Sequence, residues 1–422
     1  MASMSASATR QRWFGRARPL DAGAGGPIHG RLTVSWRRPD GGESFTGHEV
    51  AGVLTGRGAE TLDDVQRAQV EWIGEAPDVP GPWFGGLAFD AQRDRGPEWA
   101  GFGDARWLLP RLAIAERSGR RFLLAFTRQA EESAARRELD SVLETAGARR
   151  VEGDVGETTR FFAPRQERDG WDALLEQALE RIRTGAIQKV VLARRMRAVI
   201  PRAVQVERLV DSLAARHPSC AIFAIAGADG GWFVGATPET LLRLEGSTVS
   251  VDALAGTLAV DQLAPGDKEL REHAFVVEAA KSAIEPLAAR LSFDPEPALV
   301  RLRHVVHLRT NLEATLRPGV SLTEVVRRLH PTPAVGGTPS AEALRFIRDH
   351  EGFDRGWYAG AVGWVGDRAA HLCVAIRSAL FRGEEALIFA GAGIVAGSSA
   401  DLEWDETARK SHAMLEALEA AP

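Results

Sequence analysis

Apolar residues in the first third of the chain come in short runs of strand length. Runs such as Arg31–Trp36 and Leu108–Glu116 lie within 31–128 and are separated by Gly, Pro and Asp at turn positions. Residues 129–149 are rich in Ala, Glu and Arg, which favours a helix. Residues 1–30 show neither period and are rich in Ala, Gly and Arg, so we expect a disordered leader there.

Helical periodicity becomes stronger in the second part of the chain. Apolar residues recur at helical spacing over Trp171–Ile182, and amphipathic helices are also predicted over Lys268–Leu291 and Leu402–Leu418. Between these helices lie strand pairs such as Ala221–Ala226 and Trp232–Gly235, which bracket an Asp-Gly hairpin signal.

Strands joined by hairpins, with helices between groups of strands, predict an α+β (mixed α/β) fold. The regular strand–helix alternation that is typical of doubly wound sheets is absent. We expect a disordered leader at 1–30, an N-terminal half at 31–150 and a catalytic region at 160–420.

Composition and charge narrow the class of protein. The 422 residues carry a net charge of −5, which argues against a nucleic-acid-binding surface. No apolar run is long enough to span a bilayer, and the first residues lack the apolar core of a signal peptide. We therefore expect a cytoplasmic protein with no membrane or nucleic-acid partner.

Cys220 and Cys373 lie in apolar runs, which favours buried free thiols.

Lysine is scarce in this chain. Of 52 Lys and Arg residues only four are lysines, at 189, 268, 281 and 410, which leaves 48 arginines. Because a lysine can lose its proton and an arginine cannot, a lysine retained here is a candidate for chemistry, or else a chance survivor on a solvated face.

The last predicted helix presents Glu403, Glu406 and Lys410 on one face, at spacing i, i+3 and i+7. A Gly-rich segment over Ala390–Val395 precedes this helix and is predicted to form a turn whose backbone amides can approach an anion. Two carboxylates on one face can hold a hard cation. A solvated ion pair between Glu406 and Lys410 explains the same spacing, and the sequence alone leaves both open.

Five further features carry candidate chemistry. Glu272 lies on the apolar side of its predicted helix, as a metal ligand or as a first-turn partner of the helix dipole. Lys189 starts an apolar strand and could act as a general base. Glu239 lies at a turn between strands, where a Glu is usually solvated. His330–Pro339 is a rigid Pro/Gly loop that could shape a site. Arg377 lies in an apolar strand, Val374–Arg377, and a buried arginine needs an anion, either a substrate carboxylate or an internal partner.

No single motif is decisive, but their order along the chain resembles the chorismate-binding enzymes. The resemblance covers residues 160–420, and Trp83–Asp90 is similar to the N-terminal half of that family. The motifs that carry it are Lys189–Arg194, Gly235–Glu239, Ala255–Thr257, Glu272-His273, His307-Leu308, His330–Pro339, Gly360–Trp364, Ile376-Arg377, Ala390–Val395 and Glu403–Thr407.

The resemblance implies a role for each matching residue. Lys189 matches the general base that activates water for attack at C2 of the ring, and Glu239 matches the general acid that protonates the leaving C4 hydroxyl. Glu272 and Glu406 match Mg²⁺ ligands, with Glu403 close by. The family also implies large antiparallel sheets in two halves surrounded by helices.

Other matching positions are expected to contact substrate. Arg377 and the backbone at Gly391 and Gly393 match carboxylate-binding positions. The remaining pocket positions that the resemblance implies are Gly256, Thr257, His307, Ala334, Tyr358 and Lys410.

Three departures favour the isochorismate synthases, which are isomerases, within this family. Ala255 replaces the nucleophilic Lys of aminodeoxychorismate synthases, and the loop pattern of ammonia-using anthranilate-type members is absent. Ala334 stands where salicylate synthases tend to carry Thr, which leaves salicylate synthase as the main alternative. We expect chorismate as substrate, no glutaminase subunit, a monomer or homodimer, and a product used for menaquinone or siderophore synthesis.

Overall fold

The computed structural model describes residues 11–20, 30–146, 160–161, 166–200, 203–258, 264–301 and 306–420. Within these ranges the chain forms 21 β-strands and eight α-helices. The rest of the expected leader, at 1–10 and 21–29, lies outside the described residues, as does the polar segment that follows residue 146 up to residue 159.

The first strands are β1 (Arg12–Leu20), β2 (Leu32–Arg38), β3 (Glu43–Gly56), β4 (Val70–Trp72), β5 (Trp83–Leu87), β6 (Ala105–Arg117) and β7 (Arg120–Gln129). The later strands are β8 (Arg160–Phe161), β9 (Lys189–Val199), β10 (Ala221–Ala226), β11 (Trp232–Thr237), β12 (Thr240–Glu245), β13 (Thr248–Leu258), β14 (Ala288–Phe293), β15 (Ala298–Arg301), β16 (Val306–Leu316), β17 (Gly337–Thr338), β18 (Ala361–Val365), β19 (Ala369–Val374), β20 (Ser378–Arg382) and β21 (Glu385–Ile394). The helices are α1 (Thr61–Arg67), α2 (Glu132–Thr145), α3 (Gln166–Arg183), α4 (Val206–Arg216), α5 (Asp267–Ile284), α6 (Leu322–Leu329), α7 (Ser340–His350) and α8 (Ala400–Ala420).

Strand β6 is the branch point from which two antiparallel arms of one 21-stranded sheet extend. It pairs with β3 along one edge and with β5 and β7 along the other. From β3, pairing continues through β2, β10, β11, β20, β21 and β9. From β5 it continues through β18, β19, β12, β13 and β16. The predicted α+β fold with extensive antiparallel sheet is therefore confirmed, and both arms of the sheet join strands from the two halves of the chain.

The main core is rich in fully buried aromatic side chains, including Trp36, Trp99 and Phe233. Such rings bury large apolar areas and dominate core energetics. A second cluster lies where α4 and α8 cover β10, β11, β20 and β21. This packing fixes α8, which carries three of the predicted site residues, against the sheet.

Residues 12–20 form a strand, so the expectation of a disordered leader is wrong for this stretch. β1 pairs with β7 along its whole length and with three residues of β4. Phe14 is buried and packs with Leu112 and Leu123. The average composition of residues 1–30 does not indicate a strand. Residues 12–20 nevertheless form one, because a sheet edge is available for them to pair with.

The predicted helix over Lys268–Leu291 is also shorter than expected. It ends at Ile284, and a 3-10 turn at Glu285–Leu287 leads into β14. Pro286 lies in this turn, and proline ends a helix because it has no N–H to donate and its ring clashes with the preceding turn.

Both cysteines are buried and free, as predicted. In the part of the chain that the structure describes, none of the helices is long and apolar enough to cross a membrane.

Candidate active site

A polar pocket opens where β9, β13, β21 and α8 converge. Its lining includes 12 of the 14 residues predicted for the site. These are Lys189, Glu239, Gly256, His307, Ala334, Tyr358, Arg377, Gly391, Gly393, Glu403, Glu406 and Lys410.

 The other two are Thr257 and Glu272, whose side chains lie outside the described residues.

Lys189 is the first residue of β9, and its side chain is almost fully buried. Strand β17, which belongs to the predicted Pro/Gly loop, pairs with this end of β9 and places Thr338 opposite Lys189. Gly337 allows this approach, because a Cβ at that position would lie 2.3 Å from the Lys189 carbonyl oxygen. A glycine in the loop therefore sets the close packing that holds the start of β9 at the pocket.

Glu239 lies in the two-residue connection between β11 and β12 and is 5% exposed. Its backbone is fixed from both sides: its N–H donates to Thr237 Oγ1 at 3.2 Å, and its carbonyl accepts from Val374 N at 2.9 Å. The predicted solvated turn is thus a buried one, because β19 covers it.

Burial raises the pKa of Glu239 to about 7, although the Thr332 hydroxyl and the charges of Arg377, Lys189 and Lys410 act in the opposite direction. A carboxyl group that titrates near neutral pH can hold a proton and deliver it to a leaving group. This property suits the role of general acid that the resemblance implies.

Arg377 lies between β19 and β20, and not inside one continuous strand as the apolar run suggested. Its φ of +52° is in the left-handed region, which turns the chain at this point. Desolvation lowers the pKa of its guanidinium. Among the side chains that the structure describes, no carboxylate forms an ion pair with Arg377, so this pocket cation can take an anionic ligand.

Glu406 and Lys410 form an ion pair at 2.5 Å, as the i,i+4 spacing allows, but the pair lies in the pocket and not on a solvated face. Lys410 also donates to the Gly391 carbonyl at 2.9 Å. Burial acts to raise the pKa of Glu406, but the charges of Lys410 and Arg377 prevail and lower it. Glu406 is therefore held as a carboxylate, next to the buried Glu403 on the same helix face.

The Gly-rich segment before α8 is the inner end of β21 and not a turn, which corrects the prediction for Gly391 and Gly393. The two glycines pair with Ala193 and Val191 of β9. A Cβ on Gly391 would lie 2.9 Å from the Tyr358 hydroxyl, so the missing side chain keeps the pocket open. The strand hydrogen bonds are satisfied because β9 supplies a full partner edge.

The opposite wall comes from β13 and β16. Gly256 has a φ of +76°, and its carbonyl oxygen lies 3.4 Å from His307 Nδ1. Burial lowers the pKa of His307 to about 3, so this ring is neutral. The backbone of Thr257 pairs with His307 in the same sheet, which places Thr257 beside this wall.

Two contributors to the site were not among the predicted residues. Glu269 of α5 lines the pocket and caps its own helix, with Oε2 accepting from Gly266 N at 2.9 Å. Thr332 donates to Glu239 Oε1 at 3.4 Å. Glu269 precedes Glu272 by three residues on the same helix face, a spacing that could have identified it.

The oxygen donors of this pocket are of the type that Mg²⁺ prefers. Glu403 and Glu406 supply two carboxylates, and Mg²⁺ needs only one or two from the protein when substrate and water complete its shell. Among the described side chains, no three acidic, His or Cys groups come close enough together to hold a metal. The part expected of Glu272 therefore stays a prediction.

The family profile described as chorismate binding enzyme matches residues 25–419. The chain belongs to this family of enzymes, so the predicted resemblance is confirmed.

Curated relatives agree with this assignment. The chain is 34% identical over 355 residues to the salicylate biosynthesis isochorismate synthase of Pseudomonas aeruginosa, covering 80% of this chain and 74% of that protein. It is 32% identical over 349 residues to isochorismate synthase MenF of Bacillus subtilis, covering 79% and 74%. Among solved structures, it is similar to MenF, the menaquinone-specific isochorismate synthase from Escherichia coli, with a TM-score of 0.79 and 26% identity, over 97% of this chain and 94% of that one.

Proposed function

We propose that this protein is an isochorismate synthase, an isomerase that converts chorismate to isochorismate. The observation that carries the proposal is the placement of Lys189 and Glu239 on one pocket with Arg377 and the carboxylates of α8. The two curated relatives described above are named isochorismate synthases, which supports the same product.

In this reaction a C–O bond forms at ring C2 and another breaks at C4. Lys189 would take a proton from the attacking water, while the ring double bonds shift and the C4 hydroxyl leaves. Glu239, with a pKa of about 7, would protonate that hydroxyl so that it departs as water. Solvent then returns each group to its starting protonation state, and the overall reaction is an isomerisation.

Binding of the substrate is assigned to the cationic and metal-binding side of the pocket. Arg377 would pair with a substrate carboxylate, since no carboxylate among the described side chains occupies it. Glu403 and Glu406, together with Glu272, would hold Mg²⁺. The ion supplies charge neutralisation for the ring carboxylate when bound. Lys410 would keep Glu406 ionised and oriented.

Ala255 and Ala334 favour this product over those of other family members. Both side chains line the pocket, and neither can act as a nucleophile or donate a hydrogen bond. We propose that the enzyme acts without a glutaminase subunit, in the cytoplasm, as a monomer or homodimer. We also propose that its product enters menaquinone or siderophore synthesis.

The test is incubation of the purified chain with chorismate and Mg²⁺ in the absence of ammonia. We expect isochorismate by chromatography and no pyruvate in a coupled lactate dehydrogenase assay. Stoichiometric pyruvate would identify a salicylate synthase, and turnover that begins only when ammonia is added would refute the proposal.

The metal is tested separately by calorimetric titration of Mg²⁺ in the presence of chorismate. Glu406→Gln should weaken Mg²⁺ binding at least tenfold, on the order expected for loss of a charged ligand. Glu419→Gln, on an exposed position of the same helix, is the matched control and should bind as the wild type does. Equal affinity of all three proteins would contradict the metal assignment.

A further inference from the structure

The carboxyl group of Glu239 borders open space on two sides. One side is the active-site pocket. The other is a second, mainly apolar cavity of about 140 Å³ between β13, α5 and the Pro/Gly loop, lined among others by Val251, Ala253, Val276 and Ala280. Side chains in packed cores are held by their neighbours, but a carboxyl group with a cavity behind it has room to swing away.

Among the residues that the structure describes, Thr332 provides a side-chain hydrogen bond to this carboxyl group. Its Oγ1 donates to Glu239 Oε1 at 3.4 Å. Catalytic hydrogen bonds of this length tighten in the reacting complex. Thr332 also lines the second cavity, so its hydroxyl lies at the boundary between the two spaces.

The backbone of Thr332 is held independently of its hydroxyl. Its carbonyl oxygen accepts from Gly336 N at 2.8 Å and from Val335 N at 3.1 Å. The Val335 carbonyl in turn accepts from Arg355 Nη1 at 2.9 Å, and Arg355 is fully buried in an ion pair with Glu351. Loss of the hydroxyl alone therefore leaves the loop anchored.

We propose that Thr332 is a positioning residue for Glu239. Its hydroxyl donates to Oε1, so the acidic proton is carried by Oε2, and the same bond keeps the carboxyl group at the active-site side of the boundary. The inference rests on the proposed function, because it assigns Glu239 the role of proton donor.

The hydrogen bond has a second consequence, for the ionisation of Glu239. The charged groups that face this carboxyl group are Lys189 from β9, Arg377 from the turn after β19 and Lys410 from α8. Asp252 and Arg328 also line the second cavity. Thr332 stabilises the ionised form together with the three cations, so removal of its hydroxyl should move the ionisation of Glu239 to higher pH.

The experiment compares Thr332→Val, which keeps the shape and removes the hydroxyl, with Thr332→Ser, which keeps the hydroxyl. For Thr332→Val we expect kcat for chorismate to fall about tenfold with KM changed less than about twofold, as for an interaction that matters in the transition state. The ionisation near pH 7 in the pH–rate profile should move up by about half a pH unit to one unit, the size expected for one hydrogen bond of ordinary strength. Thr332→Ser should restore both values.

Thr323→Val is the matched control. It removes a buried hydroxyl from α6, immediately before the loop, where Thr323 bonds to Asp63 and not to Glu239. Its pH–rate profile should coincide with that of the wild type.

A Thr332→Val profile that coincides with the wild type would overturn the inference, as would a Thr332→Ser variant that behaves like Thr332→Val. An equal shift in Thr323→Val would do the same, because it would point to general loosening of the loop. The proposed function is tested by the wild type in the same assay: if the wild type forms no isochorismate, that proposal fails first. A wild type that is active, with unshifted variants, removes only the role of Thr332.

Discussion

Replacement of Glu239 by Gln should abolish turnover and yet stabilise the fold at alkaline pH. Burial raises the pKa of this carboxyl group from its ordinary value of 4.5 to about 7. Each pH unit between the two values corresponds to about 1.4 kcal/mol, so the ionised side chain costs the folded state about 3 kcal/mol. Glutamine resembles the protonated form and does not carry this cost.

The contribution of Glu239 to the free energy of unfolding falls as pH rises, because its pKa is higher in the folded state. Because the folded state binds this proton more tightly, the wild type has its full stability from this group below pH 4.5 and loses it as pH rises through 7. The free energy of unfolding of Glu239→Gln should therefore equal that of the wild type near pH 4.5 and exceed it by about 3 kcal/mol near pH 8.5.

Denaturant titrations of both proteins at the two pH values measure this difference, provided that the slopes agree. Glu313→Gln, at an exposed position of β16, is the control and should change stability by less than about 0.5 kcal/mol at either pH. A Glu239→Gln variant that is equally stable or less stable than the wild type at pH 8.5 would refute the assignment of a costly buried carboxylate.

Three other outcomes are expected. Lys189→Ala should lose isochorismate formation while its near-UV circular dichroism stays that of the wild type; substantial remaining turnover would contradict its role as base. Arg355→Met should lower the free energy of unfolding by about 3–5 kcal/mol, because Glu351 is left buried without its partner, and adding Glu351→Leu should recover most of the loss in denaturant titrations. Burial raises the pKa of both Cys220 and Cys373 to about 12, so neither thiol should react with Ellman's reagent until the protein is unfolded; fast labelling of the native protein would show that a thiol is accessible.

Relations over short distances along the chain were readable from the sequence. The i, i+3, i+7 spacing placed Glu403, Glu406 and Lys410 on one helix face, and the structure has them on one face of α8. The Asp229-Gly230 signal marked the β10–β11 hairpin, since that turn needs a residue that tolerates positive φ. Such features depend on local backbone geometry, which neighbouring residues determine.

Features that depend on distant partners were misread or missed. Arg12–Leu20 becomes a strand because β7 offers an edge more than 100 residues away along the chain. Arg377 turns out to lie in a left-handed turn, and the glycines of β21 to lie in a strand, because β20 and β9 fix those segments. Thr332 lies in the loop that the sequence marked as able to shape a site, but its contact with Glu239 could not be predicted because it spans 93 residues.

The sequence by itself determined the family, since the order of the motifs along the chain can be recognised without knowing the distances between them in space. It also determined which residue types could supply a base, an acid and carboxylate ligands. Tertiary structure decided what those groups can do. From its neighbours, Glu239 was interpreted as an ordinary turn residue. Burial beneath the covering strand raises its pKa to about 7, against the lowering effects of the Thr332 hydroxyl and three distant cations. Ionisation depends on the surrounding dielectric and charges, which the folded chain brings together from all parts of the sequence.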